Sequence, residues 1–121
     1  MPKIVLVVED NDLNMKLFTD VLEAAGYRVL QARDSRPVLA LAREHRPNLI
    51  LMDIQLPDVS GLVITGWLKE DEGLRDIPVV ALTAFAMRGD EQHVRAAGCD
   101  GYLTKPIAIA RFMEVVRQYA P

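Results

Sequence analysis

Cysteine is almost absent from this 121-residue sequence, which contains only Cys99. A single cysteine cannot form a disulfide within the chain, so the composition excludes a disulfide framework and suits a reducing compartment. Cys99 follows Gly98 at the start of a predicted strand. We therefore expect a small, buried, apolar residue at this position and not a nucleophile.

An excess of positive charge and long apolar runs are also missing. The formal net charge is -3, which leaves no basic face to neutralise the phosphates of a nucleic acid. No apolar run approaches the length of a membrane span, and no charged-then-apolar leader opens the sequence. These absences predict a cytoplasmic protein that binds no nucleic acid and does not insert into a membrane.

The arrangement of apolar residues predicts one α/β domain over residues 1–121. Half of the residues are hydrophobic and 26% are charged, as in ordinary soluble domains. A helical pattern follows each of five predicted strands, which cover residues 3–8, 27–32, 49–53, 77–84 and 99–104. This (βα)5 order predicts a doubly wound five-stranded parallel sheet with helices on both faces.

Capping residues and turn formers give the predicted limits of the helices. The first helix spans 12–25, Asp34-Ser35 caps the second, and Ser60 or Asp58 opens the third. A poorly amphipathic fourth helix covers 87–97, and we expect it to be the least firmly docked element. The predicted core includes several large apolar residues of the helices, namely Phe18, Trp67, Ile109, Phe112, Val116 and Tyr119.

A carboxylate follows each of two strands that are predicted to be central. The first apolar run ends in Glu9-Asp10, and the third ends in Asp53. In the strand order 2-1-3-4-5 these two strands are neighbours, so their carboxylates meet at the carboxyl edge of the sheet. Three carboxylates repel one another unless a cation joins them, and their oxygens suit Mg²⁺. The alternative is a carboxylate cluster with raised pKa values.

Two further groups at this edge indicate what the cation is for. Thr83 ends the fourth strand, and Lys105 follows the fifth. Lys105 offers a mobile positive charge for a phosphoryl oxygen, and Thr83 offers a hydroxyl donor. Asp53 can act as a nucleophile towards phosphorus. The pattern therefore predicts Mg²⁺-dependent phosphoryl transfer that leaves an aspartyl phosphate on Asp53.

These groups resemble the receiver domain of two-component response regulators, which has a CheY-like, flavodoxin-like fold. The resemblance is carried by Glu9-Asp10, Asp53, Thr83-Ala84 and Lys105-Pro106, and it extends from Lys3 to the last helix. Many receivers have two aspartates where this chain has Glu9-Asp10, a common variant that leaves the predicted metal site intact.

The resemblance implies a role for each site residue. Asp53 is the phosphoacceptor, and Lys105 precedes a cis proline, Pro106. Thr83 and Tyr102 match the switch pair of the family, in which an aromatic ring follows the hydroxyl towards the phosphoryl group. The implied ligands of Mg²⁺, for which Mn²⁺ can substitute, are Glu9, Asp10, Asp53 and the backbone carbonyl of Gln55.

Other segments resemble a single-domain branch of this family that acts in the cell cycle and in cell division. They include Glu9-Asp10-Asn11, residues 52–57 and residues 84–87. This resemblance implies a phosphoprotein of a phosphorelay that has no output domain and is not a turnover enzyme. We expect it in the cytoplasm, with recruitment to the cell poles by its partners, as a monomer or a weak dimer.

The implied partners are other proteins. Histidine kinases, phosphatases and phosphotransfer proteins exchange the phosphoryl group, and a downstream kinase or adaptor binds the last two helices and the fifth strand. Candidate contact residues for the downstream partner are Met87, Arg88 and Arg111. Candidates for docking the phosphodonor lie near the site on the first helix and are Asn11, Asn14, Met15 and Phe18, although core packing is the better interpretation of Phe18.

Three other classes of protein were weighed against this interpretation. A flavodoxin-like flavin carrier needs a Ser/Thr/Gly-rich loop after the first strand, whereas residues 9–12 are acidic and would repel a phosphate. An aspartate-nucleophile phosphatase needs an acid two residues after Asp53, where this chain has Gln55. A degenerate receiver that serves only as a scaffold would lack one of the site groups. The sequence therefore favours a binding module that phosphorylation controls.

Overall fold

Strands and helices alternate five times in the computed structural model, which describes residues 2–84 and 90–121. The five strands are β1 (Ile4–Val8), β2 (Arg28–Ala32), β3 (Leu49–Asp53), β4 (Val79–Thr83) and β5 (Gly101–Thr104). The helices are α1 (Asp12–Ala24), α2 (Val38–His45), α3 (Gly61–Glu70), α4 (Asp90–Ala96) and α5 (Ile109–Tyr119). The predicted α/β class is confirmed.

The strands form one parallel sheet in the predicted order, β2-β1-β3-β4-β5. β1 and β3 are neighbours, and Val8 pairs with Met52. The residues that follow β1 therefore lie beside Asp53, the last residue of β3. In the other half of the sheet, Thr83 at the end of β4 pairs with Thr104 at the end of β5. Lys105, the next residue, therefore lies at the same carboxyl edge as Thr83. The register thus collects the predicted site residues at the carboxyl ends of the strands.

Alternate strand residues face two separate cores, one on each side of the sheet. All five residues of β3 are buried, because helices cover both of its faces. On one side α1 packs beside α5, and the rings of Phe18 and Phe112 stack with their centroids 5.0 Å apart. Full burial of such a side chain contributes about 1.5–3 kcal/mol to the stability of the fold. The two cores therefore give the site a rigid edge.

Two residues that were predicted to lie in the core are exposed. Trp67 retains 40% of its accessible surface, because Ile64 and Leu68 form the face of α3 that is turned towards the sheet. Ile109 also retains 40%, because it is the first residue of α5 and lies a turn before Phe112, the first buried residue of that helix. The core predictions for Phe18, Phe112 and Val116 are confirmed.

The predicted cap of α2 is wrong, whereas one of the two predicted caps of α3 is confirmed. Pro37 occupies the N-cap position of α2, without a side-chain hydrogen bond. The Asp34 carboxylate instead accepts a hydrogen bond from the Arg36 backbone N–H at 2.9 Å, and the Ser35 hydroxyl donates to Asp58. Asp58 is therefore engaged elsewhere, and it is the Ser60 hydroxyl that accepts from Leu62 at the start of α3.

Part of one prediction lies outside the described residues. The fourth helix was expected to begin at Met87, and both Met87 and Arg88 fall between the two described ranges. The part of this helix that is described, α4, packs against β5 and buries Val94. Within residues 2–84 and 90–121, none of the helices combines the length and the apolar character that a membrane span requires.

Cys99 is buried in the core between the sheet and α3, as predicted. It is 5% exposed, and its thiol lies 3.7 Å from the Thr65 hydroxyl, to which it donates. Burial raises the pKa of the Cys99 thiol above its usual range, and the nearby Asp100 carboxylate raises it further, although the Thr65 contact opposes both effects. The reactive thiolate is thus scarce in the folded protein at neutral pH.

We expect Cys99 of the native protein to resist alkylation by iodoacetamide at neutral pH. Each unit by which its pKa rises lowers the thiolate fraction about tenfold, and burial also excludes the reagent. Mass spectrometry of timed samples measures the rate, and the same protein in urea provides the rate for an accessible thiol. Equal rates in the native and the unfolded protein would contradict the prediction.

Candidate metal centre

Three carboxylates converge at the carboxyl ends of β1 and β3, as the sequence predicted. Glu9, Asp10 and Asp53 each place one carboxylate oxygen within 4.8 Å of the others. Glu9 is fully buried and Asp53 is 1% exposed, whereas Asp10 is exposed. The cluster therefore has a buried floor and an open side at Asp10.

Lys105 compensates part of this negative charge. Its ammonium nitrogen lies 3.1 Å from Glu9 Oε1, 3.0 Å from Glu9 Oε2 and 3.1 Å from Asp53 Oδ2. The Lys105–Pro106 peptide bond is cis, as the resemblance implied. The formal charges of three carboxylates and one ammonium sum to two negative charges, which matches the charge of one divalent cation.

The pKa values of Glu9 and Lys105 are shifted by burial and by the contacts between these two residues. Burial raises the pKa of Glu9, and the Asp53 charge raises it further, while contacts with Lys105 and Asn14 oppose the rise. Burial lowers the pKa of Lys105, but the hydrogen bonds and charges of Glu9 and Asp53 outweigh it and raise that pKa overall. Lys105 therefore stays protonated, whereas the ionised form of Glu9 is disfavoured by its burial and by the charge of Asp53.

The two oxygens of Glu9 have different surroundings. Oε1 accepts hydrogen bonds from Lys105 Nζ at 3.1 Å, from Asn14 Nδ2 at 3.4 Å and from the Asn11 backbone N–H at 3.4 Å. Oε2 is near Lys105 but is the one buried side-chain polar atom, among the described residues, that has no hydrogen-bond partner. A buried carboxylate oxygen without a hydrogen bond is costly unless a ligand binds it. With Asp10 and Asp53, Glu9 supplies one of three carboxylate donors that fit a Mg²⁺ site.

The fourth predicted ligand, Gln55, contacts Asp53 through its backbone. The Gln55 backbone N–H donates to Asp53 Oδ1 at 2.9 Å, which fixes one oxygen of that carboxylate. Gln55 itself is exposed in the loop after β3. That its backbone carbonyl binds the cation remains a prediction.

Thr83 and Tyr102 lie where the sequence predicted, at and near the same edge of the sheet. Thr83 is the last residue of β4 and is 1% exposed, and its backbone carbonyl accepts a hydrogen bond from the Lys105 N–H at 2.7 Å. Tyr102 is half-buried on β5, pairs with Ala81 and packs against the core on the side of α3 and α4. Their roles as a switch pair remain predictions.

Of the four candidates for docking a phosphodonor, two are not available at the surface. Met15 and Phe18 are buried against the sheet, so the docking role of Met15 is wrong and Phe18 has the core position that the sequence favoured for it. The exposed apolar side chains of α1 are instead Leu13, which is 80% exposed, and Leu17, which is 42% exposed. The sequence pattern does not separate the two faces of α1, because apolar residues lie on both.

Gly61, the first residue of α3, is important to the site in a way that the sequence did not indicate. A Cβ atom at this position would lie 2.2 Å from the Asp53 carbonyl oxygen and 2.8 Å from the Ile54 Cα. The start of α3 can therefore approach the backbone of Asp53 only because residue 61 has no side chain. The Gly61 N–H also donates to the Ile54 carbonyl at 3.3 Å.

Comparison with known proteins agrees with this geometry. The sequence profile of the "Response regulator receiver domain" family matches residues 5–117. The polar-differentiation response regulator DivK of Brucella anthropi is 60% identical over 119 residues, which cover 98% of this chain and 97% of that protein.

Two solved structures share the fold over almost the whole chain. The receiver domain of the sensor histidine kinase PA1611 from Pseudomonas aeruginosa PAO1, described with a magnesium ion coordinated in its active site cleft, superposes with a TM-score of 0.89 at 33% identity. The match covers 98% of both chains. The chemotaxis protein CheY4 of Vibrio cholerae superposes with a TM-score of 0.92 at 25% identity and covers 98% of this chain and 99% of its own.

We expect the exchange Glu9→Gln to stabilise the metal-free protein at neutral pH and to abolish its response to Mg²⁺. The exchange removes a buried charge that Asp53 repels, while Lys105 keeps its ion pair with Asp53 and the Gln side chain keeps one oxygen acceptor, an effect of about 1 kcal/mol or more. Thermal unfolding in EDTA and in excess MgCl₂ measures both effects.

The pH dependence of this experiment follows from the raised pKa of Glu9. Above the ordinary value of 4.5 the folded wild type still binds a proton that the unfolded chain has lost. The corresponding stability is present at low pH and is lost as the pH rises through the folded-state pKa. The advantage of the Gln variant should therefore grow between about pH 5 and neutral pH. Equal stabilities of the two proteins in EDTA across this range would contradict the prediction.

Gly61→Ala and Gly66→Ala form a matched pair of exchanges in α3. A Cβ at Gly61 would collide with the Asp53 backbone, whereas a Cβ at Gly66 meets nothing within 4 Å. We expect Gly61→Ala to lower the free energy of unfolding by about 1–3 kcal/mol. Gly66→Ala should raise it by up to about 1 kcal/mol, because alanine favours the helix. Urea unfolding measures both, and similar effects of the two exchanges would refute the collision.

Proposed function

The chain belongs to the response regulator receiver domain family, and from this membership we propose that phosphorylation of Asp53 controls its binding to other proteins. The observation that carries the proposal is the buried Asp53 carboxylate, which shares a cluster with Glu9 and Asp10 and pairs with Lys105. Such a group is a nucleophile next to a fixed positive charge, as transfer of a phosphoryl group requires.

The residues of the chain prepare this transfer. The Gln55 N–H holds one Asp53 oxygen at 2.9 Å, and Lys105 lies 3.1 Å from the other, so the carboxylate is fixed before the donor arrives. An Asp53 oxygen then forms a bond to phosphorus as the bond from phosphorus to the donor's imidazole nitrogen breaks, and that nitrogen keeps the electron pair. A bound Mg²⁺, held by Glu9, Asp10, Asp53 and the Gln55 carbonyl, would neutralise phosphoryl oxygens. Lys105 pairs with another of these oxygens.

We propose that Thr83 and Tyr102 report the new charge to the surface. The phosphoryl group adds negative charge beside Lys105, and the Thr83 hydroxyl donates to it from the neighbouring strand end. Tyr102 is half-buried on β5 and changes its packing in response. The support is their location on the edge strand and its neighbour, with Thr83 buried at the edge that carries Asp53.

The proposed partners bind two different regions. A histidine kinase or a phosphotransfer protein donates the phosphoryl group near α1, whose Asn14 touches Glu9 and whose Leu13 is exposed. A downstream kinase or adaptor binds α4, β5 and α5, where a groove of about 570 Å³ is lined by Tyr102 and by charged side chains, among them Glu91, Arg95 and Arg111. This groove lies on the strand that carries the proposed switch residue.

The cellular role is proposed from the relatives. The name of the Brucella anthropi protein, a polar-differentiation response regulator, supports a role in cell-cycle or cell-division control, with recruitment to the cell poles. We propose a protein that assists its own phosphorylation without being a turnover enzyme, and that signals as a monomer or weak dimer through protein contacts.

The test is the intact mass of the protein after incubation with acetyl phosphate. We expect a single phosphoryl adduct that requires Mg²⁺ and is absent from Asp53→Asn, because the amide is not a nucleophile towards phosphorus. Asp58→Asn is the matched control, since Asp58 lies in the loop after β3 but is exposed and bound to Ser35. It should keep the adduct.

Two outcomes would contradict the proposal. An adduct on Asp53→Asn would move the phosphoacceptor elsewhere, and the absence of an adduct on the wild type with every small-molecule donor and with a histidine kinase would favour a scaffold that does not depend on phosphorylation.

A further inference from the structure

The first turn of α1 fixes one oxygen of Glu9. Asn11 is the N-cap of this helix, and its side-chain oxygen accepts a hydrogen bond from the Asn14 backbone N–H at 3.0 Å. The Asn11 N–H and the Asn14 side-chain amide both donate to Glu9 Oε1, each at 3.4 Å. Two donors of one helical turn therefore converge on a single carboxylate oxygen.

This arrangement differs from the usual capping of a helix. In a capping box the third residue of the helix carries a Glu or Gln that reaches back to the N–H of the N-cap. Here that third residue is Asn14, and the carboxylate at the N-cap N–H is supplied by Glu9, from the end of β1. The positive end of the helix dipole favours an anion at this place. The pattern Asn11-x-x-Asn14 thus connects α1 to Glu9 as well as starting the helix.

The contacts give Glu9 a defined orientation. Oε1 accepts from three donors when Lys105 Nζ is included, whereas the buried Oε2 lies 3.0 Å from the same ammonium and has no hydrogen bond. We propose that Asn14 is a positioning residue for the cation: it holds Oε1 so that Oε2 is presented to Mg²⁺ beside the oxygens of Asp10 and Asp53. The inference rests on the proposed Mg²⁺-dependent function and adds a residue that acts through Glu9.

The structure favours this role over the docking role that the sequence predicted for Asn14. Its side chain is only half-exposed, and its amide points to Glu9. The preceding residue, Leu13, is 80% exposed and is therefore far better placed to contact a protein. A small phosphodonor such as acetyl phosphate has no docking surface, so it separates the two roles.

The experiment compares Asn14→Ala and Asn14→Leu with the wild type and with Leu13→Ala. Calorimetric titration of the unphosphorylated proteins with MgCl₂ gives the dissociation constant directly. We expect both Asn14 exchanges to weaken Mg²⁺ binding about tenfold, the lower end of what loss of an outer contact to a metal ligand usually costs. Leu13→Ala should bind Mg²⁺ like the wild type, and Asn14→Gln, which keeps the amide donor, should recover part of the affinity.

A second measurement separates positioning from a general loss of structure. With acetyl phosphate, the MgCl₂ concentration for half-maximal phosphorylation should rise by the same factor, while the rate at saturating MgCl₂ stays within about twofold. Thermal unfolding in EDTA establishes that each variant is folded, and the Leu variant, close to Asn in size, replaces the Ala variant if that one does not fold.

The outcomes distinguish this inference from the function on which it rests. Unchanged Mg²⁺ affinity in folded Asn14 variants, or a lower rate at saturating MgCl₂ without a change in affinity, would overturn the positioning role and leave the proposed function intact. A wild type that neither binds Mg²⁺ nor forms an adduct would overturn both.

Discussion

The ion pairs that Lys105 makes with Glu9 and Asp53 are the interaction on which the site depends. Parallel β1 and β3 bring carboxylates together at one edge, and without a cation they would repel one another, above all the buried Glu9 and Asp53. Burying charges is costly even when they are paired, so this cluster is maintained at the expense of stability. The apolar layers on both faces of the sheet, with β3 buried throughout, outweigh that cost.

Much of the fold, and the convergence of the three acidic residues, could be predicted from the sequence. The apolar runs that end at Val8 and Asp53 are long enough to indicate buried parallel strands, and such strands place their last residues at a common edge. The apolar pattern of neighbouring residues locates each strand and helix. The alternation of strands and helices along the chain then indicates a parallel sheet. The convergence of Glu9, Asp10 and Asp53 follows from the strand order alone.

The remaining features depend on contacts between segments that are far apart in the sequence. Asp58 is bound to Ser35 across 23 positions, so neither residue caps the helix next to it. Trp67 is turned outwards because α3 meets the sheet through Ile64 and Leu68, a rotation that the mixed apolar pattern does not specify. The inward direction of Asn14 is likewise invisible in a sequence, since it depends on where the end of β1 lies beside α1.

The close approach of Gly61 to Asp53 has a consequence for how this protein can evolve. The space at residue 61 admits no side chain, so a substitution at that position cannot adjust the surroundings of Asp53 without displacing its backbone. The loop between Asp53 and Gly61 is different, because Gln55 and Pro57 are exposed and a new side chain there has room to extend into solvent. The surroundings of Asp53 can therefore diverge through this loop, whereas Gly61 stays fixed.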